Sequence, residues 1–267
     1  MAALANGGAI SYYHRMSNNI RDMGICLRVV DFSETSQVVT LFTRENGLQP
    51  AIAKGSKRPK KSGAGISGPL DLLTIGEMMF IPKPTGDLAI LTSWDVQNYR
   101  PALRHDLPGL NRALLCAEIT LNILQPHDPH PELFDDLDAT LDMLAGPQCR
   151  RAFLAYCLAA LEHAGFSPAF SRCHVCGKPL LPDQPAQFFP HASTATCGQC
   201  DRPGERVRLP GNILLALSRL PRPSEMKNME ARAGNAQALN TAQVLLLDQI
   251  ELATDRKLKT RSLVEWS

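Results

Sequence analysis

A chain of 267 residues has room for one large domain or two to three small ones, and 44% hydrophobic with 20% charged residues is an ordinary globular make-up. With Lys plus Arg at 28 against Asp plus Glu at 26, the formal charge is +2, so a nucleic-acid or membrane partner must be argued from where the cations sit. No run of about 18 uninterrupted apolar residues exists, which excludes a membrane-spanning helix, and the opening MAALANGG lacks the basic-then-apolar order of a secretion signal.

Residues 1–22 are expected to be a loose tail, with Met16 and Met23 as alternative starts. Residues 23–30, 36–43 and 48–53 are short β-branched runs, with turns at 31–35 and 45–47; two further runs lie at 72–81 and 88–94, the last after Pro84-Thr85-Gly86-Asp87. Five short strands with a basic excursion between the third and fourth predict an OB-type barrel over 23–97. From 98 to 166 the period becomes helical. Leu110, Leu114, Ala117, Leu121 and Leu124 form one stripe closed by Pro126, a second helix covers 130–146, and a third covers 149–166. Residues 101–150 carry three Arg or Lys against eight acids, an acidic helical unit. Residues 167–210 are proline-rich and hold paired cysteines, and helical patterning returns at 211–220 and 236–258 within a C-terminal part, 211–267. The expected class is α+β multidomain: an N-terminal OB barrel, a helical domain and a zinc-ribbon-like insertion.

The eight cysteines fall into two groups. Cys26, Cys116, Cys149 and Cys157 stand alone in apolar or helical surroundings, as buried thiols do. Cys173, Cys176, Cys197 and Cys200 form two CxxC knuckles, a strong signal for one tetrahedral zinc. Four thiolates would close the metal shell and leave no place for a reactive water, so the zinc is expected to be structural, with His174 or His191 as substitute ligands for one Cys. The pairing of His130 and Glu132 with a later CxxC superficially resembles a deaminase signature, but Arg172 stands where Pro is required and the second CxxC completes the shell. Gly55 to Ser62 resembles a phosphate-binding P-loop, yet Lys60 replaces the required glycine and Pro59 removes an amide.

Lys54, Lys57, Arg58, Lys60 and Lys61 place five cations within eight residues, which suits sequence-independent phosphate contacts; Arg28, Arg44 and Lys83 would extend the track. Phe42, Phe80 and Trp94 are candidate stacking platforms, though core packing is their expected role. A second cluster comprises Arg256, Lys257, Lys259 and Arg261, either a nucleic-acid contact or the basic end of a helix.

In their order along the chain, these stretches resemble the bacterial DNA repair protein RecO family over about residues 24–263. The resemblance is carried by Leu27 to Ser36 running into Leu41 to Gly47, by Ala53 to Lys57, by Pro131-Glu132-Leu133-Phe134 with Leu141 and Leu144, by Gly165-Phe166-Ser167-Pro168, and by Arg256 to Arg261. The longer N-terminal tail and the lysine- and glycine-rich loop 57–67 depart from the family pattern. The resemblance implies a non-enzymatic, cytoplasmic, nucleoid-associated protein that binds single- and double-stranded DNA and anneals strands. It also implies action with RecR and with single-stranded-DNA-binding protein to load recombinase. An acidic, apolar-ended tail of that protein would then dock on the helical half, at Arg150, Arg151, Leu154, Leu158 and Leu161 with Arg256, Lys257 and Lys259. The competing classes are an OB-fold and zinc-ribbon accessory of transcription or translation, and a zinc-dependent nucleic-acid enzyme.

Overall fold

Strand β1 (Ile20–Asp31) serves two neighbours at once: residues 20–25 pair with β4 (Ile75–Ile81), and residues 24–31 pair with β2 (Gln37–Thr43). With β3 (Gly47–Ala53) and β5 (Ala89–Asn98) the strands close into a barrel in the order β1-β2-β3-β5-β4. All pairings are antiparallel except β3 with β5. This computed structural model describes residues 19–58, 65–66, 68–83, 88–200, 202–226, 229 and 235–264. Residues 1–18 of the expected tail, the 84–87 turn, and Pro59, Lys60, Lys61 and Ser62 lie outside the described residues.

Three strand boundaries move by three residues or more, among them the start of β4, at Ile75 rather than 72. The barrel starts at Ile20, inside the expected tail, because closure against β4 needs the extra half-strand; Asp22 is buried there and accepts from the Glu45 N–H and the Asn46 amide at 3.1 and 2.7 Å. Strand β5 continues to Asn98, past the apolar run, since it pairs with the whole of β4.

The helices are α1 (Pro101–Arg104), α2 (Leu107–Ile123), α3 (Pro131–Met143), α4 (Cys149–His163), α5 (Gly211–Leu217), α6 (Pro223–Met226) and α7 (Ala236–Thr254). Each helix read from the sequence ends short of its apolar pattern. Helix α7 stops at Thr254 rather than 258 because Asp255 turns left-handed (φ 50°). Between α4 and α5 a three-stranded sheet, β7-β6-β8, is built from β6 (Pro185–Phe189), β7 (Thr194–Cys197) and β8 (Val207–Pro210).

There are two cores. Cys26, Val39, Leu41, Ala51, Met78, Phe80 and Trp94 fill the barrel. A larger core runs from the barrel's outside (Ile25, Leu27, Phe42, Leu48) through α2, α3, α4 and α7 into the small sheet. Phe42 meets Phe134 of α3 edge-on, with centroids 5.5 Å apart. At the β2–β3 turn Gly47 (φ 67°) lies so close to the Asp128 backbone that a Cβ would sit 2.2 Å from its carbonyl oxygen, so only glycine lets the turn touch the α2–α3 connection.

Helix α3 is where the acidic residues go. Arg44, from the β2–β3 turn, donates twice to Asp135, at 3.0 and 2.8 Å. Arg100, its side chain 1% exposed, pairs with both Asp138 and Asp142 and donates to the Leu73 carbonyl at 2.9 Å. Fully buried Asp136 accepts from Arg222 Nε and Nη2 at 2.9 and 2.6 Å, and from the Ser224 N–H and hydroxyl at 3.1 and 2.7 Å. The acidity of this unit is consumed internally.

Arg100→Ala removes the cation from between two carboxylates and should destabilise the protein by about 3 kcal/mol or more in denaturant unfolding. Arg21→Ala, which breaks an exposed pair with Glu77, should leave the midpoint unchanged.

Candidate metal centre and nucleic-acid face

The two CxxC knuckles meet at one end of the small sheet. Cys173 and Gly177 close a turn, with the Gly177 N–H donating to the Cys173 carbonyl at 2.9 Å, and Cys200 closes the second turn onto Cys197 at 3.2 Å. The His174 N–H donates to the Ala195 carbonyl at 2.8 Å, which ties the first knuckle to β7. The sulfurs of Cys173, Cys176, Cys197 and Cys200 all lie within 4.8 Å of one another. Four thiolates around a zinc-sized ion sit about 3.8 Å apart, so the set fits a tetrahedral metal.

The protonation energetics agree with that fit. Burial opposes a thiolate at Cys173, but the N–H groups of Cys176, Cys197 and Val175 outweigh it and bring its pKa down to about 6. Hydrogen bonding among the sulfurs from Cys197 and Cys176 raises Cys200 to about 12. One thiolate forms readily and the next is resisted, a repulsion that a bound cation relieves. Neither His174 nor His191 belongs to the cluster; His191 is exposed and faces Glu205 at 3.5 Å. His130 caps α3 and contacts Asp128 at 3.1 Å, and Glu132 faces Arg222 at 3.7 Å, so the deaminase-like pair stands apart from the cysteines. Of the isolated cysteines, Cys26, Cys116 and Cys157 are buried, and burial pushes the Cys26 thiol up to about 12. Cys149 is half-buried.

The basic loop leaves β3 at the barrel end opposite the Arg44 turn. Its backbone is locked to the β1–β2 turn: the Lys57 N–H donates to the Thr35 carbonyl at 3.2 Å and the Gly55 N–H to the Ser36 hydroxyl at 3.3 Å. Lys54, Arg58, Arg28 and Lys83 are exposed and form no ion pair among the described residues, while Lys57 reaches Asp31 at 2.5 Å. Arg44 does not join this track, because Asp135 and Glu45 hold it at the other end. Phe42, Phe80 and Trp94 are buried, as core packing requires.

The cations expected to frame a peptide pocket are not gathered in one place. Arg151 and Leu154 of α4 line a groove of about 430 Å³ with Ile213 and Arg219 from α5 and its exit, and Ala238 and Leu239 of α7. Arg150 contacts Asn240 at 3.5 Å near the same end of α7, Leu158 is half-buried, and Leu161 is fully buried. Arg256, Lys257 and Lys259 lie beyond the far end of α7, a helix of 19 residues that spans about 27 Å. There Arg256 donates to Asn122 at 3.4 Å, Lys257 and Arg261 pair with Glu251 at 2.9 and 3.2 Å, and Glu118 accepts the Lys259 N–H at 2.7 Å. Burial works against the Glu251 carboxylate, but the Leu258 N–H, Lys257 and Arg261 hold it below the usual range. This basic cluster therefore closes the C-terminus onto the helices. Arg219, Ala238 and Leu239 were missed, since no local periodicity marks residues that meet only after folding.

The family model described as Recombination protein O N terminal matches residues 16–100, and Recombination protein O C terminal matches residues 104–262. A DNA repair protein RecO of Myxococcus xanthus is 33% identical over 217 residues, covering 77% of this chain and 85% of that protein. One from Anaeromyxobacter sp. (strain K) is 36% identical, with coverages of 76% and 79%, and one from Synechococcus sp. is 29% identical, with coverages of 91% and 84%.

Metal analysis of fresh protein should find about one thiophilic divalent ion per chain. Cys173→Ser should lose the ion and much of the stability, because structural metal supplies folding free energy. Cys116→Ser should keep the ion, and equal metal loss in both variants would refute the assignment.

Proposed function

The chain belongs to the RecO family of DNA repair proteins, and on that premise we propose a non-enzymatic DNA-binding and strand-annealing role in recombinational repair. It acts with RecR and single-stranded-DNA-binding protein to load recombinase, in the cytoplasm at the nucleoid. The observation that carries the reading is the loop at Lys54, Lys57 and Arg58 pinned to the β1–β2 turn of an OB barrel, a position from which such barrels hold nucleic acid. Flexible cations meet phosphates without reading bases, so any strand is held and its base edges stay available to a complement. Lys60 and Lys61 continue the same loop in sequence.

The metal is zinc in this reading, held by Cys173, Cys176, Cys197 and Cys200. An all-sulfur tetrahedron is the donor set that structural zinc prefers, and it supplies stability rather than a reactive water. Among the described residues no helix is long and apolar enough to cross a membrane.

The acidic tail of single-stranded-DNA-binding protein docks in the α4–α5–α7 groove. Its apolar end fits against Leu154, Ile213 and Leu239, and Arg151 and Arg219 meet its carboxylates. Helix α3 does not repel it, because the α3 carboxylates are paired with Arg44, Arg100 and Arg222.

Two measurements test this reading. Affinity for single strands should be ATP-independent and fall with salt, and replacing Lys54, Lys57, Arg58, Lys60 and Lys61 by Ala should flatten the log–log slope by roughly 0.7 per lost phosphate contact. An unchanged slope places the DNA elsewhere. Separately, Arg151→Glu with Arg219→Glu should abolish binding of the acidic tail peptide while naked-DNA binding persists. Peptide binding at wild-type strength in that variant rules the groove out.

A further inference from the structure

Outside the barrel, strand register builds an apolar surface beside the basic loop. Val39 and Ala51 point into the barrel core, so the alternating residues Val38 and Ile52 point outward. Val30 of β1 pairs with Val38, and Val38 pairs with Ile52 of β3, which aligns three aliphatic side chains in one cross-strand row. Val30 is 45% exposed and the other two are half-buried. Two residues beyond Val30 stands Phe32, 66% exposed, the exposed aromatic of the β1–β2 turn. Its backbone is fixed, since the Phe32 and Ser33 N–H groups both donate to the Ser36 carbonyl at 3.0 and 3.2 Å. The same turn receives the Lys57 N–H, so aromatic and cations are held side by side.

The charge around this surface selects its occupant. Arg28 lies two residues before Val30 on β1, Lys54 lies two beyond Ile52 on β3, and Arg58 follows in the loop. All three are exposed and without an ion pair among the described residues. Flat apolar groups joined by a polyanionic backbone match that arrangement: bases against the row, phosphates against the rim. A duplex keeps its bases stacked inside and offers the row nothing.

We propose that Phe32 with the Val30–Val38–Ile52 row is a base-binding face for single-stranded DNA, on which Phe32 stacks a base while Arg28, Lys54 and Arg58 take phosphates. This rests on the DNA-binding reading above and adds to it a reason to prefer an unpaired strand.

The test compares oligothymidylate, an abasic sugar–phosphate chain of equal length and a duplex by fluorescence anisotropy at one salt concentration. Wild type should bind oligothymidylate about tenfold more tightly than the abasic chain. Phe32→Ala should lose about that factor on oligothymidylate. Its affinities for the abasic chain and the duplex should stay within about twofold, and its melting temperature should be unchanged because the side chain is exposed. Equal wild-type affinity for oligothymidylate and the abasic chain, both salt-sensitive, overturns the base face and leaves phosphate binding standing. No binding of wild type to any of the three overturns the DNA reading and the face with it. Wild-type discrimination retained by Phe32→Ala also overturns the proposal, because the bases are then held elsewhere.

Discussion

A buried charge is tolerated only when it is paired, and helix α3 carries fully buried Asp136 together with the carboxylates that meet buried Arg100. Asp135 takes Arg44 from the β2–β3 turn, Asp138 and Asp142 take Arg100 from the end of the barrel, and Asp136 takes Arg222 and Ser224 from the connection around α6. Three segments far apart in sequence are thus fixed to one helix by directional, charge-assisted bonds. Apolar packing such as Phe42 on Phe134 is adaptable by comparison; the guanidinium forks set the register.

From that constraint follows a division of the barrel's surface. The end carrying Arg44 and Gly47 is pressed against α3 and the Asp128 backbone, and the flank bearing Ile25, Leu27 and Leu48 is covered by the large core. What remains open is the opposite end of β2 and β3, where the chain places its basic loop. The cations near the C-terminus have the reverse fate. Glu251, Asp248 and Glu118 hold Lys257, Arg261 and the Lys259 backbone, so part of a cluster as basic in sequence as the loop serves to close the fold, while the Lys257 side chain stays 90% exposed.

Legibility in the sequence tracked locality. The β-branched runs revealed five strands, and the CxxC spacing revealed four clustered thiols, because in both cases the signal lies within a few neighbouring residues. The start of β1 was hidden because Arg21 and Asp22 interrupt the apolar run, and only barrel closure gives Asp22 its partners at Glu45 and Asn46. Helix α6, four residues opened by Pro223, is too short to show a period. The surplus of acids at 101–150 was legible as composition but its pairing was not, since all three arginines that meet the α3 carboxylates stand outside the interval: Arg44 and Arg222 lie far along the chain, and Arg100 immediately precedes it. Of the α4–α5–α7 groove only Arg151 and Leu154 were named from the sequence, because its other wall, from Asn212 to Ala242, lies far along the chain.

The cysteine cluster and that groove, though separate, share a backbone. Strand β8 ends at Pro210 and α5 begins at Gly211, whose N–H donates to the Gln184 carbonyl at 2.9 Å and whose missing side chain lets the Leu181 carbonyl pass where a Cβ would clash at 2.0 Å. On the other side Gln249 of α7 donates to the Pro190 carbonyl and to the Ser193 hydroxyl, at 3.0 and 2.9 Å, gripping the β6–β7 connection. Both helices that line the groove with α4 are therefore anchored on the small sheet, and that sheet's ends are the CxxC knuckles. The sheet shares the large helical core through Ala186, Phe188, Ala195 and Leu209, so its strands and the helices are packed as one body. Closing its four sulfurs on an ion would restrict the knuckles, and through them β6 and β7, on which α5 and α7 are anchored. A metal held there would act on the groove only through these backbone bonds, since none of the four cysteines lines it.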